Sequence, residues 1–343
     1  MSKKVYVGLS GGVDSSVAAL LLKQKGFDVV GVNLLLTAGN DNSANEKAKK
    51  VAQVIDIPFK TVDLRDEFNS KVIDYFINEY FNARTPNPCV SCNENIKFGK
   101  LLDIAISDGA DYLATGHYAE VTKKGDRYLL KKCDSKKDQS YFLHRLSQNQ
   151  LSRALFPVNM SKEETRKIAS DFNLPVAQAP DSQEICFISD DDYARYITEA
   201  TGKMPQIGNF VDKDGNVIGK HKGLIHYTVG QRKGLGITFG KPMYVTALDP
   251  QSGDITLGEE GSQMSCSLVA EDVNYISVEK LCNPTRARVK IRCQAPLVNA
   301  CLTPLDEKTV RVEFDTPQRA ITPGQCAVFY DDEDSVIGGG YIR

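Results

Sequence analysis

Residues 5–16 read VYVGLSGGVDSS, and the reading of this stretch decides the rest. Val5, Tyr6 and Val7 have strand character, Ser10-Gly11-Gly12 is a turn, and Val13-Asp14-Ser15-Ser16 opens the run VAALLLKQKG, which reads as a helix ended by Gly26. A strand, a glycine turn and a helix in this order leave the backbone N–H groups of the turn and of the first helical turn without intrahelical partners. Those groups, with the positive end of the helix dipole, make an anion cradle. The two glycines remove Cβ atoms where backbone must approach a ligand, and Ser10, Ser15 and Ser16 add hydroxyl donors. A phosphate fits such a join. The plain alternative is an ordinary strand-turn-helix connection with Asp14 or Ser15 as N-cap. The turn lacks both the Lys-Ser/Thr pair of a Walker loop and the G-x-G-x-x-G of a dinucleotide fold.

Outward from this join, strand and helix patterns alternate to about residue 115. KVYVGL, DVVGVNLLL, FKTVDL and DYLATGH are strand-like, and the segments to Lys25, around 43–55, 66–81 and 95–107 are helix-like. Alternation predicts α/β architecture, a doubly wound parallel sheet with helices on both faces. In such sheets ligands bind at the carboxyl ends of strands, where strand order reverses. Ser10, Leu34 and Thr115-Gly116-His117 fall at such ends. Residues 138–200 read as short helices, one opening on a capping box from Ser161 to Glu164. Beyond about residue 204 short alternating segments with Gly and Asp turns predict β structure of sandwich or barrel type. The expected division is 1–203 for the nucleotide-binding domain, 204–258 for a small central β-rich domain and 259–343 for a C-terminal β-barrel.

The 343 residues exceed one typical core, which agrees with several domains. Forty-two basic and 44 acidic residues give a net charge of −2, so nucleic-acid binding would depend on local basic patches. Nothing at the N-terminus reads as a signal peptide and no apolar run approaches the roughly 20 residues of a membrane helix, so a soluble cytoplasmic protein without membrane attachment is expected.

Of nine cysteines, Cys133, Cys266, Cys282, Cys293, Cys301 and Cys326 sit singly in apolar patterns and read as small buried hydrophobes. Cys89 and Cys92 form a C-x-x-C behind Pro86 and Pro88. The prolines hold the approach extended, which places Cys92 just ahead of a helix expected near Glu94, where the dipole favours a reactive thiolate. One C-x-x-C without a second pair, and without histidine at finger spacing, is a weak signal for structural zinc. Cys186, between Ile185 and Phe187 after an acidic loop, reads on its own as a core strand residue or as a loop thiol.

The S-G-G-x-D-S string resembles the pyrophosphate loop (PP-loop) of the ATP pyrophosphatases, an adenine nucleotide α-hydrolase-like fold. SGGVDSS, NPCVSCNENIKFG, ATGHYA, KDQSYFL, DSQEICFI and GQRKGLGI moreover occur here in the order found in tRNA-specific 2-thiouridylases, and the resemblance runs through almost the whole chain. That family replaces the C2 oxygen of the wobble uridine of certain tRNAs with sulfur, using ATP and a persulfide. The resemblance implies that Gly8, Leu9, Ser10, Gly11, Gly12, Val13, Asp14 and Ser15 hold the ATP phosphates, that Leu34 and Gly116 line the adenosine site, and that Mg2+ neutralises the leaving pyrophosphate. It implies Cys186 as persulfide carrier and Cys92 as the partner nucleophile that ends in a Cys92–Cys186 disulfide. Asn87, Pro88 and Cys89 would contact the target base, and His117, Lys137, Asp138, Gln139 and Gln325 the tRNA. A cysteine desulfurase or a sulfur relay protein would be the donor partner.

The chain departs from the commonest pattern of that family in having Cys89 where aspartate usually stands. A third thiol opens an alternative in which Cys89, Cys92 and Cys186 ligate a [4Fe–4S] cluster whose fourth iron holds sulfide. Seven lysines and arginines in KKGDRYLLKKCDSKKDQ read either as a solvated hairpin turning at Gly125-Asp126 or as a phosphate-binding face. Arg286, Arg288, Lys290 and Arg292 have the period of one strand face, exposed to solvent or to RNA. An aromatic side chain stacked on a flipped uridine is also expected. His144 has core-helix spacing, and His221 and His226 carry no signal. Two other classes share the loop: an adenylating synthetase using ammonia, which needs neither Cys92 nor Cys186, and an RNA- or nucleotide-binding protein without chemistry. Pyrophosphate release that depends on tRNA, on a small molecule or on nothing tells them apart.

Overall fold

The computed structural model describes residues 2–37, 41–180, 185–188, 190–237 and 240–343. Four parallel strands, β1 (Lys4–Gly8), β2 (Asp28–Leu35), β3 (Phe59–Asp63) and β4 (Tyr112–Ala114), and the short strand Ala154–Leu155 form a sheet in the order 3-2-1-4 with 154–155 at the edge. Val5, Tyr6 and Val7 are fully buried on β1 because both faces of the sheet are covered. Side-chain alternation sends Tyr6 into one core, with Val30, Val32 and Leu113, and sends Val5 and Val7 into the other, with Val29 and Ala114. Strand order reverses between β1 and its two neighbours, so the crevice above Gly8 and Ala114 is the switch point of the sheet.

Helix α1 (Val13–Gln24) follows β1 directly and α2 (Asp41–Ile55) returns across the sheet. A continuous helical segment over 65–81, α3, is π-helical at Asn69–Ile73. A second over 88–107, α4, is π-helical at Cys92–Leu101. It starts at Pro88, earlier than the sequence expectation near Glu94. That expectation treats proline as a barrier, whereas its missing N–H and fixed φ suit the first helical position, which it occupies here after Asn87. Helix α5 (Lys162–Asp171) opens on the expected capping box, Ser161 Oγ accepting from Glu164 N at 3.1 Å and Ser161 N donating to the Glu164 carboxylate at 2.9 Å.

The strands Gly208–Val211, Val217–His221, Tyr244–Leu248 and Ile255–Gly258 form a four-stranded sheet around Phe210, Val245 and Ile255. The last six strands, from Met264–Tyr275 to Val336–Ile342, close into a barrel. Cys326, Val328, Tyr330 and Val336 of that barrel belong to the same core as Tyr6 and Ile96, so barrel and first domain are packed as one. His144 lies in this seam, fully buried, its Nδ1 donating to Tyr141 O at 2.8 Å, and burial holds its pKa down at about 3. Among the isolated cysteines, Cys133 and Cys326 are buried as expected, but Cys266 and Cys282 are exposed, since they fall on outward or loop positions of the barrel. No helix among the described residues is long and apolar enough to cross a membrane.

Candidate active site

The glycine turn closes on itself before it offers anything to a ligand. Leu9 N donates to Val32 O at 2.7 Å, and the buried Asn33 amide holds Leu9 O at 2.7 Å. Ser10 N donates to Ser15 Oγ at 3.2 Å, and the two hydroxyls lie 3.2 Å apart. Gly11 has φ +77°, and a Cβ there would lie 2.9 Å from Ala44 O, so α2 covers the turn closely. Gly12, with φ −99° and ψ 169°, is the N-cap of α1, and it caps without a side chain. The alternative N-caps Asp14 and Ser15 are therefore wrong. Ser16 is fully buried and donates back to Gly12 O at 2.7 Å, so it serves the helix and not a ligand. Gly12 N also turns inward, to Ser10 Oγ at 3.4 Å, so the cradle at the switch point is made chiefly by the N–H groups of the first turn of α1, which have no intrahelical partners.

Gly116 is pressed against that cradle: a Cβ there would lie 2.5 Å from Ser15 N and 2.6 Å from the Asp14 carbonyl carbon. Only glycine permits this approach of the β4 loop to the turn. Leu34, half-buried on β2, sits at the other flank. The Asp14 carboxylate accepts from the Tyr118 hydroxyl at 2.6 Å and from Lys162 Nζ at 2.7 and 2.8 Å. Neither Tyr118 nor Lys162 is among the residues that the sequence reading assigns to the site.

One residue beyond Gly116, His117 turns toward α4. Its ring lies between Phe98 and Phe156, centroids at 6.4 and 6.1 Å, and Nδ1 is 2.7 Å from Thr115 Oγ1. Burial, and then the Lys97 charge, hold it neutral well below the ordinary histidine range. Lys97 also acts on Cys89 and Cys92, so a single ammonium serves both the histidine and the thiols. The i→i+5 pitch of a π-helix stacks residue 97 over residue 92, whereas an α-helix would turn them apart. Asn93 Oδ1 accepts from Lys97 Nζ at 3.0 Å and the Gln150 amide takes up the carbonyls of Glu94 and Phe98 at 3.0 and 2.9 Å, which holds this unusual helix in place.

Cys92 is 7% exposed, and burial pushes its thiol up to about 12 against the pull of Lys97. This corrects the expectation of a low-pKa thiolate at a helix N-terminus: Cys92 lies a full turn inside α4, and desolvation outweighs the dipole. Cys186 and Cys89 both lie close enough to raise it further. Cys89, at the mouth of the site, is exposed to solvent yet crowded on its inner side, and burial raises its thiol too. Cys186 is exposed, and its position is set by Phe187, which packs edge-on against Phe68 and Phe76 at 5.7 and 5.4 Å. Residues 181–184 of the DSQEICFI motif lie outside the described residues. All nine cysteines are thiols, and among the described residues no three His, Cys, Asp or Glu side chains are placed to hold a metal ion.

The remaining expected RNA contacts divide into two kinds. Asp138 accepts from Ser140 Oγ at 2.9 Å and from the N–H groups of Cys133 and Ser140 at 3.3 Å, and Gln139 exchanges bonds with the Tyr118 backbone at 2.7 and 3.1 Å. These two organise the loop that presents the exposed Lys137. Gln325 Nε2 donates to Thr85 O at 2.9 Å, supporting the extended segment before Asn87 and Pro88. Beside this segment a recess of about 590 Å³ opens between the three domains, lined in part by Thr85, Gln231, Lys233, Arg292 and Gln325. The basic stripe on the barrel is split up: Arg286 pairs with Asp315, Arg288 with Asp334 at 3.0 Å, and Arg292 bonds Ala320 O at 3.0 Å and Thr322 Oγ1.

A strand-turn-helix join at the switch point of a five-stranded α/β sheet, in a domain that also carries Cys89, Cys92 and Cys186, has the form of a nucleotide-binding fold bearing thiols. The model of the tRNA methyl transferase HUP domain matches residues 3–190, that of the tRNA methyl transferase PRC-barrel domain 194–259, and that of the aminomethyltransferase beta-barrel domain 265–342. The tRNA-specific 2-thiouridylase MnmA of Acetivibrio thermocellus is 48% identical over 99% of this chain and 99% of its own. That of Clostridioides difficile is 48% identical over 100% of this chain and 99% of its own. The chain belongs to the tRNA-specific 2-thiouridylase family. Among solved structures, an NH3-dependent NAD synthetase from Campylobacter jejuni is similar over 52% of this chain and 68% of its own, at 16% identity and a TM-score of 0.32.

Proposed function

We propose that this chain replaces the C2 oxygen of a tRNA wobble uridine with sulfur at the expense of ATP. The observation that carries the reading is the placement of Cys92 beside Cys186 on a helix joined to the anion cradle through Gly116 and His117. An ammonia-using synthetase has no need of that pair. The cradle from Gly8 to Ser15 binds the phosphates through backbone N–H groups, with Leu34 and Gly116 at the adenosine. The C2 oxygen of the uridine attacks the α-phosphate and pyrophosphate leaves, which turns a poor leaving group into AMP. Mg2+ bound with the nucleotide would supply charge neutralisation for the leaving pyrophosphate.

Sulfur delivery balances with two thiols. The terminal sulfur of a Cys186 persulfide attacks C2, AMP departs with the former C2 oxygen, and Cys186 is left joined to C2 through a disulfide. The Cys92 thiolate then attacks Cys186 Sγ, which releases 2-thiouridine and leaves a Cys92–Cys186 disulfide for an external thiol to reduce. Lys97 favours the thiolate form of Cys92, and the proton must leave as the base enters. A cysteine desulfurase or sulfur relay protein of the cytoplasm would load Cys186. Asn87, Pro88 and Cys89 meet the base, and His117, Lys137, Asp138, Gln139 and Gln325 present or support the tRNA-facing surface.

The test is mass analysis of nucleosides from tRNA incubated with the protein, ATP and a persulfide source, with pyrophosphate measured in parallel. Appearance of 2-thiouridine and tRNA-dependent pyrophosphate release are expected. Ser15→Ala, which opens the turn, should lower pyrophosphate release far more than tRNA affinity. Pyrophosphate release that needs ammonia and a small acid, and ignores tRNA, would overturn the proposal.

A further inference from the structure

Lys162 reaches the cradle from 148 positions away. It is the first residue of α5, and the Ser161–Glu164 capping box fixes that turn, so the start of its side chain is set by the helix. Its ammonium bonds both oxygens of Asp14 at 2.7 and 2.8 Å, and only 12% of its side chain is exposed. The Tyr118 ring lies beneath it, 5.9 Å from Nζ to the centroid, while the Tyr118 hydroxyl donates to the same carboxylate at 2.6 Å. Two charge-assisted bonds in a part-buried setting, with the Asp14 side chain 32% exposed, are stronger than a surface pair, and removing one partner leaves the other charge without its counter-charge.

Asp14 is the only acidic residue from Gly8 to Ser16 and stands in the first turn of α1. There its carboxylate competes with any bound anion for the positive end of the helix, and an uncompensated negative charge would repel a triphosphate. We infer that Lys162 is a positioning residue of the ATP site: it neutralises Asp14 and holds the carboxylate in its pair with Tyr118, leaving the cradle N–H groups to the phosphates. The inference rests on the reading of Gly8–Ser15 as the ATP site and adds to it a residue outside the six stretches that carry the family resemblance.

The test measures, by calorimetry on the full chain, the affinity for α,β-methylene-ATP of the wild type, Lys162→Met, Lys162→Arg and the double variant Asp14→Asn/Lys162→Met. Lys162→Met should bind about 10- to 100-fold more weakly, the span expected for removal of a charged hydrogen bond. In the double variant both charges are gone, and the amide oxygen introduced at position 14 still accepts from the Tyr118 hydroxyl, so it should bind more tightly than Lys162→Met alone. Lys162→Arg retains the charge and should lie closer to wild type than to Lys162→Met, and it keeps the test open if the methionine variant fails to fold. A purely structural lysine would give no recovery in the double variant, and that result overturns the inference. So does Lys162→Met, or Lys162→Arg where only that variant folds, if the affinity pattern departs from this order. Wild-type protein that does not bind the analogue overturns the ATP-site reading itself and this inference with it.

Discussion

The Gln325 amide donates to the Thr85 carbonyl at 2.9 Å across 240 positions of chain. It is one of several bonds by which the barrel supports the segment ahead of Cys89. Thr85 N donates to Pro323 O at 2.8 Å, and a Cβ on Gly324 would lie 2.8 Å from Thr85 N, so the two loops are in close contact. Arg84 pairs with Glu79 at 2.8 Å and with Glu271 of the barrel at 3.1 Å. Such a support holds the segment that the proposed function sets against the base, Asn87 and Pro88, and it lies outside the anion cradle.

Loss of this support should therefore separate the two halves of the reaction. Gln325→Ala removes one hydrogen bond, worth about 1 kcal/mol, or roughly fivefold in the tRNA-dependent rate. Gln325→Glu should cost more, because a carboxylate would face carbonyl oxygens. Binding of an ATP analogue should be unchanged in both variants. Normal thiolation by Gln325→Glu, or loss of nucleotide binding, would show that the bond to Thr85 does something else.

The lysine-rich segment is a hairpin, Glu120–Lys124 with Arg127–Lys131, turned at residues 125 and 126, and it is docked on the barrel. Lys132 lies 3.4 Å from Asp334 and Arg127 Nε donates to Ile276 O at 3.0 Å, so these two cations hold the hairpin down. Lys123, Lys124, Lys136 and Lys137 are exposed. Replacing Lys123, Lys124 and Lys137 by glutamine should weaken tRNA binding and reduce its salt slope by about one unit for each phosphate left without its lysine. Lys132→Gln should mainly lower the melting temperature. A slope that the triple change leaves untouched, read from filter binding at several salt concentrations, would assign the hairpin to solvent.

What the sequence made legible was local. The strand-turn-helix at 5–16, the capping box at Ser161 and the hairpin turn at Gly125-Asp126 each depend on residues a few positions apart, where turn and cap chemistry acts directly. The β-rich texture after residue 204 was legible for the same reason. What escaped was produced by contacts between distant parts of the chain. The capping box at Ser161 announces a helix but no role for Lys162, whose partner Asp14 is set beside it by the packing of α5 on α1. The π-helix that stacks Lys97 over Cys92 is held by Gln150, which lies on another element, and no periodicity of the NENIKF stretch announces it. Arg286 and Arg288 form one solvent-facing stripe on paper, and only the folded barrel sets Asp315 and Asp334 beside them.

The last prediction concerns the three thiols and decides how sulfur is carried. In the two-cysteine scheme Cys186 bears the persulfide and Cys92 resolves it, so Cys92→Ser and Cys186→Ser should each abolish thiolation while Cys89→Ser keeps a substantial part. The structure adds a pH signature. With its thiol pushed up to about 12, Cys92 is protonated throughout the neutral range, so its alkylation by iodoacetamide should be slow at pH 7.5 and rise about tenfold per pH unit up to about pH 10. Lys97→Met removes the charge that lowers this pKa and should slow the reaction further. A cluster makes other demands: each of three ligands is needed, the three thiols must converge, and all would be thiolates shielded from alkylation by iron. Protein purified without oxygen would then be brown and carry stoichiometric iron and sulfide. Three equally dead serine variants together with such iron would remove Cys186 from the role of persulfide carrier, whereas an active Cys89→Ser variant and a slow, pH-dependent Cys92 would establish the two-thiol route.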